Sequence, residues 1–258
     1  MWPSNYAPKV ATIGYTFAPA HHGKGFATEA VSAVVGALCA GGVHRFTATL
    51  DPDNVPSMRV LEAVGFTFES LVRSAEFIHG DWVSDLLYSM PADDRAQWLA
   101  RPRQPPAAIE LAEITPDDAH LWGRLTTHRS QERFAAPMSQ SFRDALFPEV
   151  VDGAPVVPWL RGVLADGERV GFVMLAEVTE HHTEPYLWRL LIDRLHQRRG
   201  IGTLILAEIA AQVRSFGCTT LLTRWVEGPG SPEPFYLRHG FVPTGRIVDD
   251  EIEARVTL

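Results

Sequence analysis

The sequence has few cysteines, no long apolar run and no excess of positive charge. Its two cysteines, Cys39 and Cys218, are too few for a disulfide framework, and neither lies near cysteine or histidine at metal-ligand spacing. We therefore predict free thiols, no bound metal and a cytoplasmic location. No apolar run reaches the roughly 18 residues of a membrane-spanning helix, and residues 1–15 lack the basic and apolar regions of a secretory signal. Membrane association is not expected.

The charge balance is acidic. Lysine and arginine number 23 against 31 aspartate and glutamate residues, which gives a net charge of −8. A nucleic acid is therefore not an expected partner. Hydrophobic residues make up 46% of the 258 residues and charged residues 21%, as is typical of a globular protein. A chain of this length forms one large domain or two smaller ones.

An internal repeat organises the chain into two copies. Each copy has a strand, a loop with two glycines two residues apart, a long amphipathic helix, a second strand, and a short helix that ends in Gly-Phe. The loop glycines are Gly23 and Gly25 in the first copy and Gly200 and Gly202 in the second. From the later loop glycine to the glycine of Gly-Phe there are 40 residues in the first copy and 38 in the second, which makes chance a poor explanation.

The two copies differ in what precedes the glycine loop. The proline-rich residues 99–108 predict a linker. After it, the second copy has a strand, a helical region and a hairpin around Asp166–Gly167 before its loop. The first copy has only 22 residues before Gly23. We therefore predict a partial domain at 1–98 and a complete domain at 109–258.

A strand, a glycine-rich loop and a helix N-terminus together form an anion site. Outward backbone N–H groups and the helix dipole favour a phosphate there. Neither loop continues into the Gly-Lys-Ser/Thr of a Walker motif, and neither has the third glycine of the dinucleotide-binding fingerprint.

The loop of the second copy, QRRGIG at 197–202, resembles the acyl-CoA loop of the GNAT superfamily of N-acetyltransferases. The segment FYLRHGF at 235–241 resembles the second signature of that superfamily, a helix with a tyrosine five residues before the phenylalanine of Gly-Phe. The resemblance covers 109–258 as a whole domain and 10–98 as the C-terminal half of another. It implies an α/β protein of GNAT fold, with a mixed central sheet and helices on both faces, in one truncated and one complete copy.

Within the superfamily the copies resemble different branches. Residues 19–90 are similar to the ribosomal-protein and amino-terminal acetyltransferase branch, through GKGFATEAV, the Asp-Pro-x-Asn stretch at 51–54 and GDWVSDLLYSM. Residues 187–258 are more similar to the diamine acetyltransferases, through Trp-Arg-Leu-x-Ile-Asp at 188–193 and the closing strand DEIEARVTL.

The resemblance implies acetyl-CoA as the cofactor. In the family, the strand before the loop splays from its neighbour and binds pantetheine as an added strand would, and the loop N–H groups hold the pyrophosphate. The residues so implied are Leu190, Leu191, Ile192, Gln197, Arg198, Arg199, Gly200, Ile201 and Gly202. The corresponding cofactor residues of the first copy are Gly23, Lys24, Gly25 and Asn54.

Tyr236 is the predicted general acid, because it occupies the tyrosine position of the family motif and a phenol can protonate a leaving thiolate. Glu184 is the predicted base, since it lies just before the strand that should line the amine pocket. Nearby alternatives for the base are His181, His182, Glu177 and Glu180.

The first copy departs from the family pattern at two positions. Leu61, which cannot donate a proton, stands where the second copy has Tyr236, and Ala20 stands where the second copy has Gln197. In the branch that this copy resembles, a serine at the position of Ser57 takes the acid role. The N-terminal half that forms the acceptor wall in the family is missing, and so we do not expect the first copy to catalyse alone.

The sequence thus predicts an N-acetyltransferase that transfers acetyl from acetyl-CoA to a primary amine, of a small molecule or a peptide, by direct attack. The alternative is a non-catalytic acyl-CoA-binding or protein-interaction module built from degenerate GNAT domains. The strand at 10–18 should be central in a complete GNAT sheet, yet nothing precedes it here to pair with. We expect the other domain, a second chain in a homodimer, or an upstream segment to cover its edge.

Overall fold

The computed structural model describes residues 9–151 and 153–258, which divide into two compact units. The first unit holds the described residues up to Arg101 together with His128–Ser130, and the second holds Pro102–Thr127 and Gln131–Leu258. The division falls within the proline-rich segment 99–108. Of the helices in the described ranges, none has the length and apolar character needed to cross a membrane.

The first unit is a four-stranded sheet with three α-helices. Its elements, in chain order, are β1 (Val10–Thr12), a 3-10 turn (Pro19–His21), α1 (Phe26–Ala40), β2 (Arg45–Leu50), α2 (Val55–Val64), β3 (Thr67–Ile78), β4 (Asp81–Pro91) and α3 (Ala92–Ala100). The strand order is β1-β2-β4-β3, with β1 and β2 parallel and the other pairs antiparallel. Residues of α1, α2, β2 and β4 form one buried core together with Phe66, and Phe68 of β3 packs against it.

β1 is the edge strand of this sheet and is shorter than the sequence predicts. The predicted strand covers 10–18, whereas β1 ends at Thr12. After that, Ile13 donates one more hydrogen bond to the Thr47 carbonyl of β2 (2.8 Å) and the pairing stops. Within the described residues, no strand pairs with the other edge of β1, so hydrogen bonds from one side alone hold it.

The second unit is a seven-stranded sheet with helices on both faces. Its elements, in chain order, are β5 (Ile109–Ala112), α4 (Ala119–Trp122), α5 (Met138–Leu146), β6 (Val150–Val151), β7 (Ala154–Pro155), β8 (Pro158–Ala165), β9 (Glu168–Ala176), β10 (Tyr186–Ile192), α6 (Ile201–Ser215), β11 (Thr220–Trp225), α7 (Glu233–Arg238), β12 (Val242–Val248) and β13 (Glu251–Thr257). The strand order is β12-β13-β11-β10-β9-β8-β5, and β6 and β7 form a separate ribbon.

The sheet of the second unit is mixed, and its helices cover both faces. β10 and β11 are parallel, and the other neighbouring strands are antiparallel. Helices α6 and α7 pack on one face in the larger core, and α4 and α5 pack on the other face around Trp122 and Met138. The predicted α/β class with a mixed central sheet is confirmed.

The repeated elements have the same local geometry in both units. Helices α1 and α6 are each 15 residues long, and each follows a glycine in the left-handed region, Gly25 at φ 83° and Gly200 at φ 76°. The second helix of each repeat is also followed by a glycine of positive φ, Gly65 at 113° and Gly240 at 83°. Because glycine adopts these angles without strain, the repeat in sequence is also a repeat of backbone geometry.

A buried carboxylate lies at the centre of a hydrogen-bonded group in the first unit. Glu62 of α2 is 4% exposed. It accepts hydrogen bonds from the Ser130 N–H (3.0 Å), the Ser130 hydroxyl and the Tyr88 hydroxyl (3.1 Å). Burial raises the pKa of Glu62, whereas the hydrogen bonds from Ser130 and Tyr88 and the charge of Arg59 act in the opposite direction.

We expect Glu62→Ala to destabilise the first unit by about 2–4 kcal/mol, because the buried Ser130 N–H then loses its acceptor. Glu62→Gln keeps an oxygen acceptor and should cost less. A raised carboxyl pKa favours the folded state most below the unfolded pKa of 4.5, and this contribution is lost as the pH rises through the folded pKa. The glutamine variant should therefore gain stability relative to wild type as the pH rises from about 4.5 to about 7.

Urea denaturation at the two pH values measures both differences. A glutamine variant that is as unstable as the alanine variant at neutral pH would contradict this account of Glu62.

Candidate functional site

β10 and β11 diverge after a short paired stretch in the second unit. They pair at two positions, the second of which joins Leu187 and Thr223. Just beyond it, β10 has a bulge against β9, where the register shifts between Leu187 and Arg189. Beyond Leu187 no described residue of β10 pairs with β11, and a bulge bends and twists its strand. We call this unpaired edge of β10 the gap.

Alternate residues of β10 point their backbone groups into this gap. Asp193, directly after β10, donates its N–H to the Val170 carbonyl of β9 (2.8 Å), and alternate residues of an antiparallel ladder form such pairs. Leu191 therefore bonds toward β9. Leu190 and Ile192 direct their N–H and carbonyl groups away from β9, into the gap. An extended ligand with amide groups can bind there as an added strand would.

The loop after β10 leads into the N-terminus of α6 with a row of backbone donors. Arg198 and Gly200 both have positive φ, 65° and 76°. Over the described ranges, no backbone carbonyl accepts a hydrogen bond from the N–H groups of residues 198–202. The dipole of the 15-residue helix α6 adds positive potential at this end. The arrangement can bind a phosphate or another anion.

Two side chains of the loop stabilise it from inside. Gln197 Nε2 donates to the Ile192 carbonyl (3.1 Å). Arg199 is 5% exposed, donates from Nε to the Gln104 carbonyl (2.8 Å), and lies 3.7 Å from the Asp166 carboxylate. The guanidinium of Arg199 is therefore engaged within the second unit, and its backbone N–H is the group that remains for an anion.

The end of the loop that joins α6 is packed against the core, and the part of the loop at Arg198 is exposed. Ile201 is buried in the core on the α6 face. Gly202 allows α7 to approach α6, because a Cβ at this position would lie 3.1 Å from the Phe235 ring. Arg198 is exposed. The predicted cofactor residues 197–202 thus lie together at the end of β10, next to the gap.

Tyr236 of α7 lies beside the point at which β10 and β11 part. Its side chain is buried, stacks on Trp225 with 5.7 Å between ring centroids, and meets Phe241 edge-on at 5.2 Å. Burial raises the pKa of Tyr236 to about 12, and a hydrogen bond with the Thr223 side chain acts in the opposite direction. Because Thr223 is the last β11 residue paired with β10, the phenol is a protonated group close to the inner end of the gap.

Glu184 forms an ion pair at the protein surface. Its Oε1 lies 2.8 Å from Nη2 of Arg255 on β13, and the two side chains are 40% and 46% exposed. It precedes β10, at the end of the strand opposite the loop. Among the alternatives for the base, His182 has its Nε2 3.0 Å from the Val151 carbonyl. The others are exposed or half-buried: Glu177, Glu180 and His181.

The other face of the sheet carries a polar group, Arg224 and Tyr186, that the sequence did not predict. The Arg224 guanidinium lies 5.0 Å from the centre of the Tyr186 ring. Burial raises the pKa of Tyr186 well above its usual value and also raises the pKa of Glu251, and in both cases the charges of Arg189 and Arg224 act in the opposite direction. The available signal was strand alternation, which points Arg224 to the face opposite the buried Thr223.

The first unit repeats the glycine loop. Gly23 and Gly25 have φ of 71° and 83°, and Lys24 Nζ donates to the Ala20 carbonyl (2.9 Å). The backbone at the start of α1 therefore resembles the start of α6.

The first unit has Leu61 at the position that corresponds to Tyr236 of the second. Leu61 is 1% exposed in the core. Asn54 caps α2, since its side-chain oxygen accepts a hydrogen bond from the Ser57 N–H (3.2 Å), and the Ser57 carbonyl accepts one from the Tyr15 hydroxyl (3.2 Å). Asn54 has a structural contact here, and its predicted contact with a cofactor stays a prediction.

Two family models match the chain. One, described as an acetyltransferase (GNAT) domain, matches residues 1–67, and the other, described as the acetyltransferase (GNAT) family, matches residues 121–241. A probable N-acetyltransferase, YjcK of Bacillus subtilis (strain 168), is 46% identical over 77 residues, which are 30% of this chain and 42% of that protein. An uncharacterized N-acetyltransferase, p20 of Bacillus licheniformis, is 33% identical over 81 residues, 31% of this chain and 46% of that protein.

The chain spans less than half the length of these curated relatives. Among solved structures, Mycobacterium smegmatis RimJ in complex with CoA-disulfide has 37% sequence identity, covers 34% of this chain and 43% of that chain, and has a TM-score of 0.32. An acetyltransferase from Thermus thermophilus has 22% identity, covers 60% of this chain and 100% of that chain, and has a TM-score of 0.47.

Proposed function

We propose that this chain, which carries two GNAT acetyltransferase domains in tandem, transfers an acetyl group from acetyl-CoA to a primary amine in its C-terminal domain. The observation that carries the proposal is the gap between β10 and β11, which leads to the N–H groups of residues 198–202. Acetyl-CoA has an amide-rich arm for the gap and a pyrophosphate for the loop. The names of the curated relatives, which are N-acetyltransferases, also support this reading.

Each part of the cofactor has a proposed set of partners. Pantetheine amides bind the N–H and carbonyl of Leu190 and the N–H of Ile192 in the gap, as an added β-strand would, while the Ile192 carbonyl keeps its hydrogen bond from Gln197. The pyrophosphate binds the loop N–H groups and the N-terminus of α6. The thioester lies at the end of the pantetheine arm away from the pyrophosphate, so these two contacts together direct its carbonyl carbon to the inner end of the gap, where an amine can attack it.

The chemistry is a direct attack of the neutral amine on the thioester carbon. The new C–N bond forms, the C–S bond breaks, and the leaving sulfur takes the proton of the Tyr236 hydroxyl. A free thiol has a pKa of about 8.5, so proton transfer to its thiolate from a phenol with a pKa of about 12 costs roughly 5 kcal/mol. A separate proton transfer after cleavage would carry this whole cost. We therefore propose that the proton moves to the sulfur as the C–S bond breaks.

Glu184 is the proposed base that takes the amine proton, directly or through a water molecule. We expect Glu184→Gln to lower kcat/KM for the amine by about 10- to 100-fold. The matched control is Arg255→Met, which removes the ion-pair partner but leaves the carboxylate in place, and it should retain activity. Steady-state kinetics and thermal melts of both variants measure these effects. Equal losses of activity and of Tm in the two variants would make the ion pair structural and exclude Glu184 from the mechanism.

Thiol release from acetyl-CoA tests the proposed function. The full chain is assayed against a panel of amines, and CoA binding is measured separately by calorimetry. Release that depends on an amine supports acetyl transfer. Tight CoA binding with slow hydrolysis and no amine dependence would contradict it and favour an acyl-CoA-binding module.

A further inference from the structure

Four arginines share two carboxylates in the second unit. Asp144 of α5 lies 2.8 Å from Arg143 and 3.1 Å from Arg189. Glu253 of β13 lies 3.8 Å from Arg224 and 3.6 Å from Arg246. We call these four residues the arginine cluster: Arg143, Arg189, Arg224 and Arg246. Each of these two carboxylates is shared between two guanidinium groups, so neither arginine of a pair has a carboxylate to itself.

Arg224 has the least satisfied guanidinium of the cluster. Its side chain is 24% exposed, and the Glu253 oxygen at 3.8 Å is beyond hydrogen-bond distance. Across the described residues, the buried Nε of Arg224 has no hydrogen-bond partner, and the buried Nε of Arg189 has none either. Removing charged donors from water without supplying an acceptor is costly. An anionic oxygen ligand would relieve that cost.

Arg189 and Arg224 lie next to the point at which β10 and β11 part. Arg189 follows the bulge of β10, and Arg224 directly follows Thr223, the last residue of β11 that pairs with β10. Arg189 contacts Asp144 of α5, and thus faces the side of the sheet opposite α7 and Tyr236. The two guanidiniums therefore border the inner end of the gap from the side opposite the predicted acid.

We propose that the acceptor is an amine that also carries a carboxylate, such as a free amino acid, and that Arg224 and Arg189 bind that carboxylate. The proposal rests on the proposed acetyl transfer and names the substrate class for the same site. The planar fork of a guanidinium matches the two oxygens of a carboxylate. A diamine has no such group and would leave the Nε groups of Arg189 and Arg224 without an acceptor.

Negative charge for the ammonium end of such an acceptor lies close by. Glu253 is paired with Arg224 across β11 and β13, and Glu251, two residues earlier on β13, lies on the same face of the sheet. Burial raises the pKa of Glu251, the charges of Arg189 and Arg224 lower it, and Asp249 and Glu149 raise it. Adjacent groups of both signs are complementary to a zwitterion. A ligand with two ammonium groups would match only the acidic part.

Matched acceptors test the carboxylate directly. Thiol release by the full chain is measured at saturating acetyl-CoA with several amino acids, their amides, phosphoethanolamine and putrescine. We expect kcat/KM for the best amino acid to exceed that for its amide by about 10- to 100-fold, the worth of hydrogen bonds to a charged group. Preference for an amide or for putrescine overturns the proposal. Preference for phosphoethanolamine overturns it in favour of a phosphate ligand.

Arg224→Gln should remove most of the preference for the acid. We expect about a 10- to 100-fold loss of kcat/KM with the amino acid and little change with its amide, so the amide reports whether the variant is folded. The matched control is Arg246→Gln, which changes a 70% exposed side chain on the same Glu253 and should leave both values unchanged. Equal losses with acid and amide in Arg224→Gln would make Arg224 structural and overturn the proposal.

Binding separates this proposal from the proposed function. Calorimetry with the CoA complex compares N-acetyl amino acids with N-acetyl amino-acid amides, which requires no turnover. Tighter binding of the acids, lost in Arg224→Gln, supports the carboxylate site. Equal binding of acids and amides overturns it even if other amines are acetylated. Absence of turnover with every amine overturns acetyl transfer instead.

Discussion

Replacing Tyr236 with phenylalanine should lower kcat by about 10- to 1000-fold and leave acetyl-CoA affinity unchanged. Phenylalanine keeps the ring that stacks on Trp225 and contacts Phe241. It removes only the hydroxyl beside Thr223, the group proposed to protonate the leaving sulfur. Thiol release at saturating substrates gives kcat, and calorimetric titration gives the Kd of CoA.

Tyr15→Phe is the matched control for Tyr236→Phe. The Tyr15 hydroxyl in the first unit also makes a hydrogen bond, to the Ser57 carbonyl at 3.2 Å, and its loss should not change kcat. Because the pKa of Tyr236 is raised to about 12, the wild-type rate should show no loss from phenol ionisation below about pH 10. An unchanged kcat in Tyr236→Phe would exclude this residue from the mechanism.

Gly200→Glu should weaken CoA binding by at least about 100-fold, because it brings a carboxylate to the proposed pyrophosphate site. Gly200 has a φ of 76°, and a Cβ there would have no heavy atom within 4 Å. Backbone strain of about 1–2 kcal/mol is therefore the structural cost, and charge repulsion is the functional one. Calorimetry measures the affinity, and a thermal melt measures the strain.

Gly25→Glu introduces the backbone strain without placing a charge at the proposed pyrophosphate site, and so distinguishes strain from charge repulsion. Gly25 has a φ of 83° and equally open space around its Cβ position, so the backbone strain matches that at Gly200. We expect CoA-dependent turnover to remain within about 2-fold of wild type, since the anion site in use is that of the second unit. Gly202 is a poorer site for the test, because a Cβ there would press on Phe235. Equal losses at Gly25 and Gly200 would contradict a C-terminal catalytic domain.

Local chemistry explains what the sequence predicted of the fold. The helices that start after Gly25 and Gly200 depend on glycine angles and on apolar periodicity over 15 residues, which are both visible in the sequence. The hairpin of β8 and β9 turns at Asp166–Gly167, as the turn residues indicated.

Pairing between distant segments explains what the sequence missed. Exposure alternates from Val10 to Phe17 as in a strand, yet β1 ends at Thr12, because its pairing with β2 stops at Thr47 although β2 continues to Leu50. The sequence analysis did not predict β12, although β12 is a strand in the structure. Its residues are almost all exposed and include Pro243 and Gly245, so it has no apolar alternation, and its pairing with β13 alone defines it.

In the candidate site, too, features that depend on local sequence were predictable, and features that depend on distant residues were not. The spacing of QRRGIG placed the loop N–H groups at the start of α6, since backbone geometry follows from local sequence. The direction of the Arg199 side chain depends on Gln104, which lies 95 residues earlier in the chain. In the sequence Arg224 is an ordinary strand residue. Its contacts with Tyr186 and Glu253, which lie far from it in the chain, are visible only in the structure.

The hydrogen bond between Arg199 and Gln104 changes where the second unit should be taken to begin when it is produced on its own. The sequence predicts that the complete domain begins at Ile109, the first residue of β5. A protein cut there would keep every strand of the sheet, but the buried Nε–H of Arg199 would lose its carbonyl acceptor. Residues that look like a tether in the sequence thus belong to the support of the anion loop, and Pro102, where the second unit starts, is the natural boundary.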